Sequence, residues 1–127
     1  RIIEIGVADA FLRNATDASF AALERNNKAM LEARTVAESA RRDYEFHETI
    51  VRTAGNRTTL GVYRMLRPVI EEIMHLGKAS RRAQEYSYHA HTELIDALRS
   101  GDRVAYAYLM SQHLRYASQF VAGEPAR

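Results

Sequence analysis

An all-α, antiparallel bundle of about six helices is the fold class this 127-residue sequence predicts, and three observations carry it. Apolar residues recur at three- and four-residue spacing along the chain, the period of an amphipathic helix rather than the alternation of a strand. The breaks between these segments are short and hold helix-stop glycines such as Gly55 and Gly101, with Asn56 and Asp102 each placed to cap the next helix. No stretch reads as a strand, a repeat or a low-complexity run, so helix packed on helix is the architecture that remains.

Taken in order, residues 1–13 place Ile3, Val7, Ala10 and Phe11 at helical spacing and predict a first helix. It opens without a cap residue, as expected of a chain that begins inside a larger protein. Residues 14–17 read as a turn ending in an N-cap. A second helix follows to about Ala33, marked by Phe20, Leu23, Met30 and Leu31, with Asn27 interrupting its stripe. The third helix spans about residues 35–53 and stops at Ala54-Gly55-Asn56.

The fourth and longest helix is expected over about residues 58–79. Its central stripe is Val62, Leu66, Val69, Ile73 and Leu76, with Leu60, Tyr63, Arg67, Ile70 and Met74 beside it. Pro68 falls in its interior, where it removes the hydrogen bond to the Arg64 carbonyl and predicts a kink. A fifth helix covers about residues 83–99 and a sixth runs from the Asp102 cap to about Val121, ended by Gly123-Glu124-Pro125. The domain is thus expected over residues 1–122, with 123–127 as a tail.

Composition bounds the function. Hydrophobic residues are 46% and charged residues 27%, the balance of one globular domain rather than a disordered chain. No apolar run approaches membrane-spanning length and no signal-peptide pattern opens the chain, so a cytoplasmic protein without membrane contact is expected. Cysteine is absent, which excludes disulfides, thiolate ligands and a cysteine nucleophile; a bound metal would have to use nitrogen and oxygen. Net charge is +2, with 18 basic and 16 acidic residues spread along the chain. A segment that itself gripped nucleic acid would concentrate its basic residues on one face.

The informative stretch is residues 43–56. Ala40, Asp43, His47, Ile50, Val51 and Ala54 share one helical face, so an acid and an imidazole one turn apart interrupt an apolar stripe. A carboxylate there is costly unless it is hydrogen-bonded, paired or bound to a metal. His91 lies in the stripe Tyr88, His91, Ile95, Leu98, and His113 in the stripe Tyr106, Met110, His113, Ala117, Phe120. Three helices therefore aim nitrogen or oxygen ligands at one interior, whereas His75 and His89 fall off the apolar stripes and are expected in solvent. Asp43, His47, His91 and His113 would suit Zn²⁺, Ni²⁺, Fe²⁺ or Mn²⁺. The same four residues would also serve a hydrogen-bonded core network or a hydrolytic metal site. A purely structural or dimerisation bundle leaves Asp43 unaccounted for. Tyr63 and Arg67 border the fourth helix's stripe, where either would reach a ligand carboxylate; the alternative for Arg67 is a stem covering apolar surface.

Several fragments agree jointly with one known family: Arg1-x-x-Glu4, Asp43-x-x-Phe46-His47, Ala54-Gly55-Asn56, His91-x-x-Leu94-Ile95-x-Ala97-Leu98-x-x-Gly101-Asp102 and Met110-x-x-His113-Leu114. With their intervals they resemble the FCD domain, the C-terminal effector-binding domain of GntR-type transcriptional regulators related to FadR. The resemblance covers nearly the whole chain. It implies an antiparallel helical bundle that binds a small carboxylic or hydroxy acid, acts as a sensor rather than an enzyme, and forms a homodimer. It also implies a divalent metal held at Asp43, His47, His91 and His113, since the fatty-acyl-responsive branch lacks that set. DNA binding would belong to an N-terminal winged helix-turn-helix that is not in this sequence.

Overall fold

The helix starts are set by capping side chains. In the structure, a computed structural model that describes residues 1–119, Thr35 accepts from the Glu38 backbone N–H at 3.1 Å, Asn56 from Thr59 at 2.9 Å, Ser80 from Ala83 at 3.1 Å and Asp102 from Ala105 at 2.9 Å. Thr16 and Ser19 form a reciprocal capping box. The helices so defined are α1 Ile2–Gly6, α2 Ala8–Asn14, α3 Asp17–Glu32, α4 Val36–Thr53, α5 Arg57–Met65, α6 Arg67–Leu76, α7 Arg81–Arg99 and α8 Arg103–Gln119. There is no strand among the described residues. Gly55 and Gly101 adopt φ of 85° and 71° just past the ends of α4 and α7, the left-handed region in which glycine carries no side-chain penalty. The expected end of the last helix near Val121 and the tail at 123–127 lie outside the described residues.

The all-α expectation holds, but among the described residues the six helices become eight, because two of the expected ones are divided. The first breaks at Val7, beside Gly6, the poorest helix former in that segment. The fourth is broken, not merely kinked, near Pro68. Leu66 closes α5, its N–H bonding to the carbonyls of Val62 at 3.3 Å and Tyr63 at 3.1 Å. A new helix then starts with Pro68 in its first turn, where a missing N–H leaves no hydrogen bond unmade.

That break overturns the expected packing of the segment. Val62, Leu66, Val69 and Leu76, assigned to the central stripe, are 42–61% exposed, and Met65 is 80% exposed. Tyr63 and Met74 are the buried residues, with Leu60 and Ile70 partly buried against the core.

α4 is the central element. It packs against α3 across a three-residue connection as an antiparallel hairpin, and also against α1, α2, α5 and α6, while α7 joins α3 and α8. Its apolar face supplies Tyr44, Phe46, Ile50 and Val51 to a core completed by Phe11, Leu23, Leu94, Leu98, Tyr106 and Met110. Each such side chain contributes roughly 1.5–3 kcal/mol of burial free energy. Polar residues are enclosed in the same interior, among them Glu4, Asn27, Asp43, His47, Lys78, His91 and His113.

Candidate metal centre

Asp43 and His47 sit one turn apart on α4 and face His91 from α7 and His113 from α8; all four are at most 5% exposed. Asp43 Oδ1 lies 3.1 Å from His91 Nε2 and 3.3 Å from His47 Nε2. His113 Nε2 lies 3.0 Å from His91 Nε2 and 3.3 Å from His47 Nε2. These four atoms lie within 4.8 Å of one another. Ligand atoms roughly 2.1 Å from an ion stand about 3.0 Å apart at right angles and about 3.4 Å apart at the tetrahedral angle. The observed spacings of 3.0–3.3 Å match that range.

The groups behind the ring nitrogens make these lone pairs converge. The amide of Asn27 donates through Nδ2 to the Tyr88 carbonyl at 3.0 Å and to Thr92 Oγ1 at 3.3 Å, which turns its Oδ1 toward His91 Nδ1 at 3.1 Å. His91 must then donate from Nδ1, leaving Nε2 as an acceptor. Phe46 fixes the ring plane by stacking on it, centroids 3.9 Å apart and nearly parallel. His47 Nδ1 is 2.8 Å from Glu4 Oε1, a close ion-pair contact whose angle falls short of a hydrogen bond. Asp43 Oδ1 is buried and makes no hydrogen bond at all. An orphaned carboxylate oxygen facing three imidazole nitrogens is a donor set that fits a divalent cation.

Burial alone would push Asp43 up, yet the Lys78 ammonium and the neighbouring imidazoles hold its carboxyl well below the ordinary carboxylate range. Burial pushes His91 down to about 4 despite Asp43, and pushes His113 well below its ordinary value. His47 behaves oppositely. Burial lowers it, but Glu4 and Asp43 on its two sides outweigh burial and hold it at about 9. His91 and His113 are therefore neutral at pH 7, as ligands must be.

A cavity of about 770 Å³ opens beside this cluster. Its polar lining includes Asp43, His47, His113, Glu4, Lys78 and Ser87, and its apolar lining includes Ile70, Ile73 and Met74 of α6. Tyr63 lines it too, with its hydroxyl donating to Glu4 Oε1 at 3.0 Å. Arg67 is placed elsewhere. It pairs with Glu71 at 2.9 Å and lies over the Tyr44 ring at 4.6 Å, outside the cavity lining. His75 and His89 are exposed, as expected.

Three residues beside the cluster were given no role in it by the sequence reading. Glu4 shares a helical face with Val7, Ala8 and Phe11, so an acid in an apolar stripe was there to be seen. Asn27 did interrupt its stripe, and the interruption is its bond to His91. Lys78 was expected inside a helix running to about residue 79, but α6 ends at Leu76 and Lys78 lies in the turn beyond it.

The sequence pattern of the FCD domain matches residues 1–116. The chain belongs to the FCD family. A comparison with curated proteins finds no match. FCD domains are the effector-binding domains of GntR-type regulators and are typically regulatory and non-catalytic. The buried cluster of Asp43, His47, His91 and His113 is consistent with a metal-binding FCD domain. No described helix is long and apolar enough to cross a membrane.

Proposed function

We propose that this FCD domain is the ligand sensor of a cytoplasmic GntR-type transcriptional regulator of the FadR subfamily. Asp43, His47, His91 and His113 hold one divalent ion, Zn²⁺, Ni²⁺, Fe²⁺ or Mn²⁺, and a small carboxylic or hydroxy acid binds in the adjoining cavity with Tyr63 at its wall. The observation that carries this reading is the orphaned Asp43 Oδ1 among three Nε2 atoms at 3.0–3.3 Å spacings, next to a cavity large enough for a small ligand. Bound there, the ion supplies a positive centre for a carboxylate. Asn27 and Glu4 orient the rings that receive it.

The sensor acts by shifting an equilibrium. Glu4 ties α1 to His47, and Tyr106 donates to the Glu4 backbone carbonyl at 2.6 Å, so the first helix is joined both to the cluster and to α8. A ligand that binds better to one arrangement of these helices moves the population toward it. In the parent protein the change passes to winged helix-turn-helix domains and alters their spacing on DNA half-sites. The exposed apolar residues Val62, Met65, Leu66 and Val69 of α5, α6 and the break between them support pairing of two copies.

Calorimetric titration of small carboxylates into ion-loaded and ion-free domain tests the reading. The sensor predicts tighter binding to the loaded form with no turnover. Equal affinity in both forms would point to a metal-independent pocket, and steady conversion of the acid to a product would point to a metal-dependent hydrolase-like enzyme.

A further inference from the structure

Lys78 is nearly enclosed, with a side chain 4% exposed, and its Nζ lies 2.5 Å from Asp43 Oδ2 and 2.9 Å from Ser87 Oγ. Asp43 thus divides its two oxygens. Oδ1 faces the imidazoles and Oδ2 faces the ammonium, so coordination through Oδ1 leaves the lysine pair in place. An ammonium carries three N–H donors, and only two are engaged by described residues. Lys78 and Ser87 both line the cavity.

A buried ammonium is costly, and an apolar side chain filling the same space would be cheaper. With a divalent ion bound and the imidazoles neutral, Glu4, Asp43, Lys78 and the ion sum to one positive charge, which a single anionic head would balance. Arg1 and Arg115 also border the cavity, but both are exposed and their charges are screened by solvent. The α6 side of the wall offers Ile70, Ile73 and Met74, with Leu114 from α8, and the other polar lining residues, Tyr63, Ser111, Tyr116 and Ser118, carry hydroxyls rather than a charge for a second anionic group.

We propose that Lys78 is the anion receptor of this cavity and that the ligand it takes is a carboxylic acid with one anionic head and an apolar body. The head receives the third Lys78 N–H and the body lies on the α6 wall. The charge balance rests on the metal-sensor reading, whereas the lysine contact stands without it.

The experiment is calorimetry with a homologous series, acetate to octanoate, and the α,ω-dicarboxylates of equal length. The proteins are wild type, Lys78→Met and Lys78→Arg, each Zn²⁺-loaded and metal-stripped, with zinc content and circular dichroism measured on every sample. In loaded wild type, monocarboxylate affinity should rise about fourfold per added methylene until the wall is covered. Dicarboxylates of equal length should bind at least tenfold more weakly. Lys78→Met should lose at least tenfold for monocarboxylates while still folded and holding zinc, and Lys78→Arg should recover part of the loss. Should Lys78→Met not fold, Lys78→Gln, which keeps a neutral N–H toward Asp43, supplies the same comparison. Absence of saturable monocarboxylate binding, dicarboxylates binding as tightly, or unchanged affinity on removing the charge would overturn the proposal; the last would leave Lys78 only a counter-charge for Asp43. If wild type takes up no zinc, the metal-sensor reading fails separately. The metal-stripped comparison then decides for Lys78, a tenfold loss supporting it and equal affinity overturning it.

Discussion

Glu4 Oε1 lies 2.8 Å from His47 Nδ1, so the first helix holds one nitrogen of an imidazole whose other nitrogen faces the candidate ion position. A carboxylate behind a ligating histidine fixes the ring and raises its basicity, and losing such a partner typically weakens metal binding about 10–100-fold. Glu4→Gln should therefore lower Zn²⁺ affinity by that order with the stoichiometry still one ion per chain. Competition against a chelating dye measures it, and wild-type affinity in the variant would remove Glu4 from the site.

Asn27 performs the same service for His91 from the opposite side, and it also satisfies the Tyr88 carbonyl. Asn27→Leu leaves the buried His91 Nδ1–H without an acceptor, a loss of about 1–3 kcal/mol. Urea unfolding of the ion-free variant should show that loss, and the loaded variant should show weaker metal binding as well. If only stability changes, Asn27 supports the fold without orienting the ligand.

The pH dependence of the ion-free domain stems from the opposed histidines. His47 is held at about 9, above its ordinary 6.5, so between these values the native state keeps a proton that the unfolded chain has lost. Stability then falls as pH rises through that window, by up to about 1.4 kcal/mol per pH unit. His91, held near 4, and His113, held well below 6.5, have the reverse sign. The unfolded chain binds protons there that the native state refuses, so stability falls as pH drops below 6.5. Thermal denaturation should thus show a maximum near pH 6.5. The alkaline decline should vanish on zinc loading, because a coordinated His47 Nε2 cannot carry a proton. A flat or rising profile between pH 7 and 9 without ion would contradict the placement of Glu4 and Asp43 around His47.

The exposed apolar residues of α5 and α6 bear on assembly. Wild type should sediment as a dimer at micromolar concentration, and the double variant Met65→Glu/Val69→Glu as a monomer with an unchanged circular dichroism spectrum, since these side chains are 80% and 61% exposed. Monomeric wild type at high micromolar concentration would leave these residues without this role.

The site was legible in the sequence where polar residues broke a regular stripe. Asp43 and His47 in α4, His91 in α7 and His113 in α8 each stood among apolar neighbours at helical spacing, and the caps Asn56 and Asp102 lay where short turns required them. The segment from Arg57 to Leu76 was misread because it is apolar on more than one face, and a stripe drawn across one continuous helix loses its phase at a break. Pro68 announced a disturbance, but periodicity cannot say that α6 would turn Met74 inward and Val69 outward. Lys78 was invisible for a different reason. It was expected on a helix running to about residue 79, whereas α6 ends at Leu76, and only the fold brings it within 2.5 Å of Asp43.

The most direct test of the metal-sensor account is anomalous diffraction from crystals of the domain stripped with chelator and reloaded with Zn²⁺, recorded on both sides of the zinc edge. The account predicts one peak per chain, roughly 2.0–2.2 Å from Asp43 Oδ1 and from the Nε2 atoms of His47, His91 and His113. No peak at that position, or a peak elsewhere with the four residues hydrogen-bonded only to one another, would contradict it.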